Sequence, residues 1–238
     1  MKPRAPWEAA VLRLATYNVH HGAPARGPVD LDAIVGVLAA LDADVAAIQE
    51  VDVGRSRSHR VDQSRAIATA LGLHVAFCDT VGGYGHAVLS RRPIEVVDEI
   101  VLDVTEGREP RRAIVCVTAT PEGDELLVIG THLENPRPLD PSPGVTDRQA
   151  ARVVALLADL TDGRPGALLG DLNLDAPEVA RLVAGHPHLS LAGGPATFPS
   201  RRPRHRIDHV VTSHLGIDAV EVPASRASDH RPLLVVTQ

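Results

Sequence analysis

Aromatic side chains are nearly missing: two Tyr, two Phe and one Trp among 238 residues. Unpaired bases stack on such rings, so a chain this poor in them has few platforms for gripping single-stranded nucleic acid. Lysine is scarcer still, Lys2 being the only one, and arginine supplies the remaining positive charge. The formal net charge is −6 and the pI is near 6.0. No global basic field draws this chain to a polyanion, although local charge can differ from the total. The two cysteines, Cys78 and Cys116, lie inside apolar runs without metal-type spacing and read as buried free thiols. No run approaches the roughly 20 apolar residues that span a bilayer. The first strand-like run opens at Leu12, which leaves no room for a secretory signal. The expectation is a cytoplasmic, monomeric protein with no integral membrane association.

Apolar residues are plentiful, at 44% of the chain, enough for one substantial core. A single domain over residues 1–238 is expected. No internal repeat or low-complexity segment divides it. Strands are expected at Leu12–Val19, Val45–Gln49, Val75–Cys78, His86–Ser90, Ile94–Leu102, Ala113–Thr120 and Leu126–His132, the later ones spaced as antiparallel hairpins. Further strands follow at Ala167–Leu169, Ile207–Thr212, Ala219–Val222 and Leu233–Val236. Helical periodicity covers Leu31–Leu41, capped by Asp30. It also covers Gln63–Leu71, with Ile67, Ala70 and Leu71 inward, a helix capped by Thr146 and running to Leu160, and a short one at Glu178–Ala184. Between Asn135 and Val145, Pro136, Pro138, Pro141 and Pro143 predict a surface loop. Two strand-rich halves with outer helices are satisfied by two packed sheets, a four-layer sandwich of the α+β class.

Carboxylates and amides recur where these strands end: Asn18, Gln49-Glu50, Gly170-Asp171-Leu172-Asn173 and Ser228-Asp229-His230. Each alone reads as a turn, since Asp and Asn cap their own backbone. Several together suit a hard, oxygen-seeking cation.

Thr16-Tyr17-Asn18, Gln49-Glu50, Tyr84-Gly85-His86 through Arg91, Thr131-His132-Leu133, Gly170-Asp171-Leu172-Asn173, Arg206-Ile207-Asp208-His209 and Ser228-Asp229-His230 follow one another along the chain. In this order they resemble the endonuclease/exonuclease/phosphatase superfamily, from Leu12 to Val236. The resemblance implies the DNase I-like α/β/β/α sandwich, two mainly antiparallel sheets between outer helices, and cleavage of a P–O bond with Mg2+ or Mn2+. It implies that Asn18, Glu50 and Asp229 serve the metal, Glu50 most directly and Asp229 as ligand or through a water. By the same resemblance Asp171 activates water, Asn173 and His132 face the phosphate, and Asp208 orients His230 against it.

Tyr84 and Arg111 match positions that bind phosphate oxygens, although packing and surface ion pairs explain them, and Arg148, equally well. Arg201, Arg202, Arg204, His205 and Arg206, with Arg55, Arg57 and Arg60, are expected on loops near the site, with Arg202 and Arg204 as candidate substrate contacts. The competing reading is a solvated loop. His20, His21, His86 and His209 receive no role beyond supporting their neighbours. The leading expectation is a metal-dependent hydrolase of a small-molecule or lipid phosphate ester. A DNA or RNA nuclease is the alternative within that chemistry. A non-catalytic binding module is the alternative outside it, disfavoured because no motif residue is missing.

Overall fold

The computed structural model describes residues 11–136 and 144–238. Pro138, Pro141 and Pro143 of the expected loop lie outside that description. Twelve strands form two six-stranded sheets among the described residues. The first sheet contains β1 (Leu12–Asn18), β2 (Val45–Asp52), β3 (His74–Asp79), β4 (Tyr84–Ser90), β11 (Ile217–Glu221) and β12 (Leu233–Thr237), ordered β11-β12-β1-β2-β4-β3. The second contains β5 (Glu95–Leu102), β6 (Arg111–Ala119), β7 (Glu125–His132), β8 (Gly166–Asp171), β9 (Leu189–Leu191) and β10 (Asp208–Ser213), ordered β5-β6-β7-β8-β10-β9. All neighbours run antiparallel except β1 with β2 and β7 with β8.

Alternation along the strands builds the layers. Leu12 and Leu14 face the other sheet, packing with Val45, Val88, Ile114, Val128, Leu169 and Val235. Ala15 and Tyr17 point the opposite way, toward α1 (Leu31–Leu41) and α2 (Gln63–Leu71), where Ile34, Leu38 and Ile67 are buried. On the outer face of the second sheet, α3 (Val145–Thr161) and α4 (Ala176–Val183) bury Val153, Leu157 and Val179 against Ile129 and Leu168. Burying a side chain such as Ile34 contributes roughly 1.5–3 kcal/mol. The result is the four-layer sandwich. Both cysteines are free and buried between the sheets. None of the described helices is long and apolar enough to cross a membrane.

Local chemistry sets the helix ends. Asp30 accepts from the Ala33 amide, and Asp62 accepts from the Arg65 amide, both at 3.0 Å. Asp175 and Glu178 form a reciprocal capping box on α4. At α3 the expected cap fails: Gly144 occupies that place, and Thr146 is the second residue of the helix, its hydroxyl donating to the Glu134 carbonyl at 2.8 Å. Ala70 is exposed, whereas Gln63 and Ser64 are buried. The face of α2 is rotated because Gln63 accepts from the Asp52 amide and donates to the His21 carbonyl.

The two parallel pairs position the site. Asn18 ends β1 opposite Gln49 of β2, and Thr16 and Gln49 exchange buried hydrogen bonds that lock the pair. Gln49 is therefore part of the frame. His132 ends β7 opposite Asp171, and Asp208, opening β10, pairs with Asp171 from the other side. Three ionisable residues thus stand side by side across one sheet end. Close backbone approach makes this possible: a Cβ on Gly170 would lie 2.5 Å from the Thr131 carbonyl.

Candidate active site

Asp208 is fully buried, and its Oδ2 lies 2.8 Å from Nδ1 of His230. The far nitrogen of His230, Nε2, is 3.7 Å from Asp171 Oδ2, and His132 Nε2 reaches the same oxygen at 3.7 Å. The Asn173 backbone amide donates to Asp171 Oδ1 at 3.0 Å, while its side chain donates to the Leu133 carbonyl, leaving one side-chain amide hydrogen uncommitted among the described residues. Burial alone would lower the His230 pKa, but the charge and hydrogen bond of Asp208, aided by Asp171 and Asp229, reverse this and raise it. Burial raises Asp171 out of the usual carboxylate range, and Asp208 adds to the effect. His132 moves the other way: burial, then Arg111, His230 and His86, holds it well below the usual range and keeps it neutral. One charged and one neutral imidazole therefore flank a single carboxylate.

Asn18 joins this group to a second one. Its Nδ2 donates to both Glu50 Oε1 and Asp171 Oδ2 at 3.0 Å, and its Oδ1 accepts from the His20 amide. Glu50 occupies the position where the β2–β4 register shifts, with a left-handed φ of 59°. His20 and His21 follow Asn18 in a short 3-10 turn and are also left-handed, at 46° and 47°. That backbone costs roughly 1–2 kcal/mol per non-glycine residue. His20, His21 and Glu50 bring ligand-type atoms within 4.8 Å of one another, as do Asp171, Asp208 and His230. Asn18 and Glu50 are thus brought together, whereas Asp229 lies outside both groups, 3.9 Å from His20 Nδ1.

The remaining arginines divide. Arg57 binds the buried Asp52 through both prongs at 2.8 Å, and Arg55 donates to the Val81 and Gly82 carbonyls. Both guanidinium groups lie over the Tyr84 ring. Arg206 is half-buried and donates to the Ala192 carbonyl, and Arg148, on α3, pairs with Asp103 after β5. Tyr84 is buried; burial, reinforced by the charge of Glu50, raises its pKa. Arg111 is largely buried beside His132 and His86, 3.7 Å from Glu109. Arg202 and Arg204, with Arg201, Arg226 and His205, line a cavity of about 720 Å³ floored by Phe198 and Ser200.

That floor is continuous with the site. The Phe198 ring lies 4.7 Å from the His230 ring, and Ser200 is hydrogen-bonded to Ser228 and Asp229. Phe198 and Arg226 carried no signal that sequence reasoning used. His20 and His21, expected only to support their neighbours, lie instead within ligand distance of Glu50.

The model of the endonuclease/exonuclease/phosphatase family matches residues 15–230, which include Asn18, Glu50, His132, Asp171, Asp208 and His230. The chain belongs to this family. Its fold is similar to an endonuclease/exonuclease/phosphatase from Beutenbergia cavernae (TM-score 0.71, 23% identity, 96% of this chain and 72% of that one). It is also similar to the human nocturnin catalytic domain with bound sulfate (0.73, 20%, 96% and 93%). Zebrafish TDP2 complexed with single-strand DNA product is a further likeness (0.71, 15%, 96% and 99%). At these identities the likeness is one of fold. No sequence among curated proteins matches. Family and fold fit phosphoester hydrolysis.

Proposed function

We propose that this chain hydrolyses a compact phosphate ester, a phosphodiester or phosphomonoester of a small molecule or lipid headgroup, with a divalent cation. The observation that carries the reading is the contact of Asp171 with Asn18, His132 and His230, the last held by Asp208. In this mechanism Asp171 takes the proton of the attacking water; its raised pKa makes it a stronger base than a solvated carboxylate. Asp208 holds the proton on Nδ1 of His230, so that Nε2–H of an imidazolium donates to the phosphate. Neutral His132 and the free amide hydrogen of Asn173 add uncharged donors.

The donor set fits a cation. Glu50, Asn18 and Asp229 offer oxygens, and His21 Nδ1 is buried without a partner among the described residues. Glu50 and Asn18 would hold the ion, with Asp229 approaching from the His20 side. When bound, the cation supplies Lewis-acid polarisation of the phosphate and a more acidic water.

Compactness is argued from charge and shape. The chain is net acidic, so the arginine-lined cavity is a local exception to it. Among the described residues Arg201, Arg202, Arg204 and Arg226 form no ion pair, which leaves them for an anionic group of the substrate. The test is to assay purified protein on bis-p-nitrophenyl phosphate, p-nitrophenyl phosphate, plasmid DNA and choline or inositol phospholipids with Mg2+ or Mn2+. Turnover of the small or lipid esters is expected. Efficient plasmid nicking without it would overturn the reading in favour of a nuclease.

A further inference from the structure

We propose that His20, His21 and Glu50 form a nitrogen-rich cation site that takes a first-row transition-metal dication in preference to Mg2+. The proposal rests on the metal-dependent reading above and names the ion. Three observations carry it. The ligand-type atoms of the three residues lie within 4.8 Å of one another. The two imidazole rings are neighbours, their centroids 4.3 Å apart and their planes inclined by 61°, so two nitrogens can face one point without stacking. His21 Nδ1 is buried with no hydrogen-bond partner among the described residues, and an unsatisfied buried nitrogen calls for a proton partner or a metal.

The surroundings fix the geometry further. His20 Nδ1 lies 3.2 Å from the Ala23 carbonyl, with Asp229 at 3.9 Å behind it. A proton on Nδ1 donating to that carbonyl leaves Nε2 with its lone pair outward, the arrangement that orients metal-binding histidines. The Gln63 side chain anchors the His21 carbonyl at 2.8 Å, and the Asn18 side chain anchors the His20 amide at 3.0 Å. All three residues have left-handed backbone, at 46°, 47° and 59°. Strain in all three members of one cluster is the kind that surrounding structure maintains at functional sites. A site made only for Mg2+ would need none of it, since Mg2+ takes one or two carboxylates and keeps its waters. Imidazole suits Fe2+, Ni2+, Cu2+ and Zn2+, and affinity rises along the row from Mn2+ through Co2+, whereas carboxylate, carbonyl and water suit Mg2+.

The test uses the metal-stripped full chain and reads binding, not turnover. Co2+ is followed by its visible absorption, Mg2+ by calorimetry, and bound Mn2+ by pulsed electron paramagnetic resonance for coupling to 14N nuclei. Asn tolerates left-handed backbone, so His20→Asn and His21→Asn should keep the fold. Each should weaken Co2+ by about tenfold or more while Mg2+ affinity moves less than about threefold. Coupling to 14N should be present in the wild type and reduced in each variant. Unchanged Co2+ affinity in both variants, or bound Mn2+ without 14N coupling, overturns the proposal and leaves the hydrolase reading standing. Should a variant fail to fold, the wild-type resonance decides alone. Full hydrolysis in excess chelator, with none of the three ions bound, would instead sink the metal-dependent reading itself.

Discussion

Asp171 touches more of the site than any other side chain described, and one change isolates its chemistry. Asp171→Asn preserves volume but removes the proposed base and its charge, so kcat should fall by several decades while the unfolding midpoint stays close to wild type. Retention of more than about a tenth of the wild-type rate would exclude the role. Asp208→Ala tests the histidine pair. Burial then acts on His230 with less opposition, and its pKa should drop in an NMR histidine titration. An unmoved titration would mean that Asp208 does not set the charge of the ring. At this scale the sequence was informative where a motif named a side chain: Asp208 with His230 is the pairing implied. It was silent on Phe198, because nothing in a Thr-Phe-Pro stretch says that its ring will lie against a histidine 32 positions later.

Elements were legible where hydrophobic period and caps agreed. The helix Leu31–Leu41 has its expected bounds, with Asp30 on the first turn. Strand β2 extends past Gln49 to Asp52 because the register shift at Glu50 lets the chain kink and resume pairing. Strand β9, three residues long, is too short for a periodic signal. On α2, Ile67 is buried and Leu71 packs on the core, but Ala70 is exposed and polar Gln63 is buried to satisfy backbone groups from elsewhere, which no periodicity encodes. A prediction belongs here. Gly170→Ala would set a methyl 2.5 Å from the Thr131 carbonyl and push β8 away from β7. Stability should fall by roughly 1–3 kcal/mol, and activity should fall more than stability explains, because His132 and Asp171 are register partners across that seam. Denaturant melts and kcat on the same samples check this; an active, fully stable variant would show that the seam yields.

For the whole molecule, buried titratable groups set the pH range of stability. His86 is wholly buried, with neither ring nitrogen hydrogen-bonded among the described residues, and burial followed by Arg111 lowers its pKa to about 4. Burial brings His209 to about 4 as well, and His132 is lowered too. Each is neutral in the folded chain and takes a proton more readily unfolded. For all three the stabilisation is full above the unfolded value of 6.5 and is lost as pH falls toward the folded value, about 4 for His86 and His209. Asp171, shifted up, runs against them in part of this window, but three histidines outnumber it. His230, raised, contributes below 6.5 and loses its contribution as pH climbs through its folded value. In chelator, the urea midpoint should therefore decline on both sides, and His86→Leu should flatten the acid limb. An unchanged acid limb in that variant would remove His86 from the account. At the same scale, Arg202→Gln with Arg204→Gln should raise KM for an anionic ester more than it lowers kcat. Gripping by many phosphates would instead show a steep loss of affinity with salt.

Strand β12 lies between β11 and β1, so the first strand of the chain has its neighbour on that side only when the last has been inserted. Leu12 pairs with Thr237, whose hydroxyl donates across 225 positions of sequence to the Leu12 carbonyl. Closing a loop of that length is slow, and contacts of this kind slow folding. During synthesis, β1 would leave the ribosome early and wait with one edge open until His230, Asp229 and β12 arrive together. Refolding should accordingly restore hydrolysis only in the slowest phase, after most helical signal has returned, and the waiting edge of β1 is where aggregation should begin.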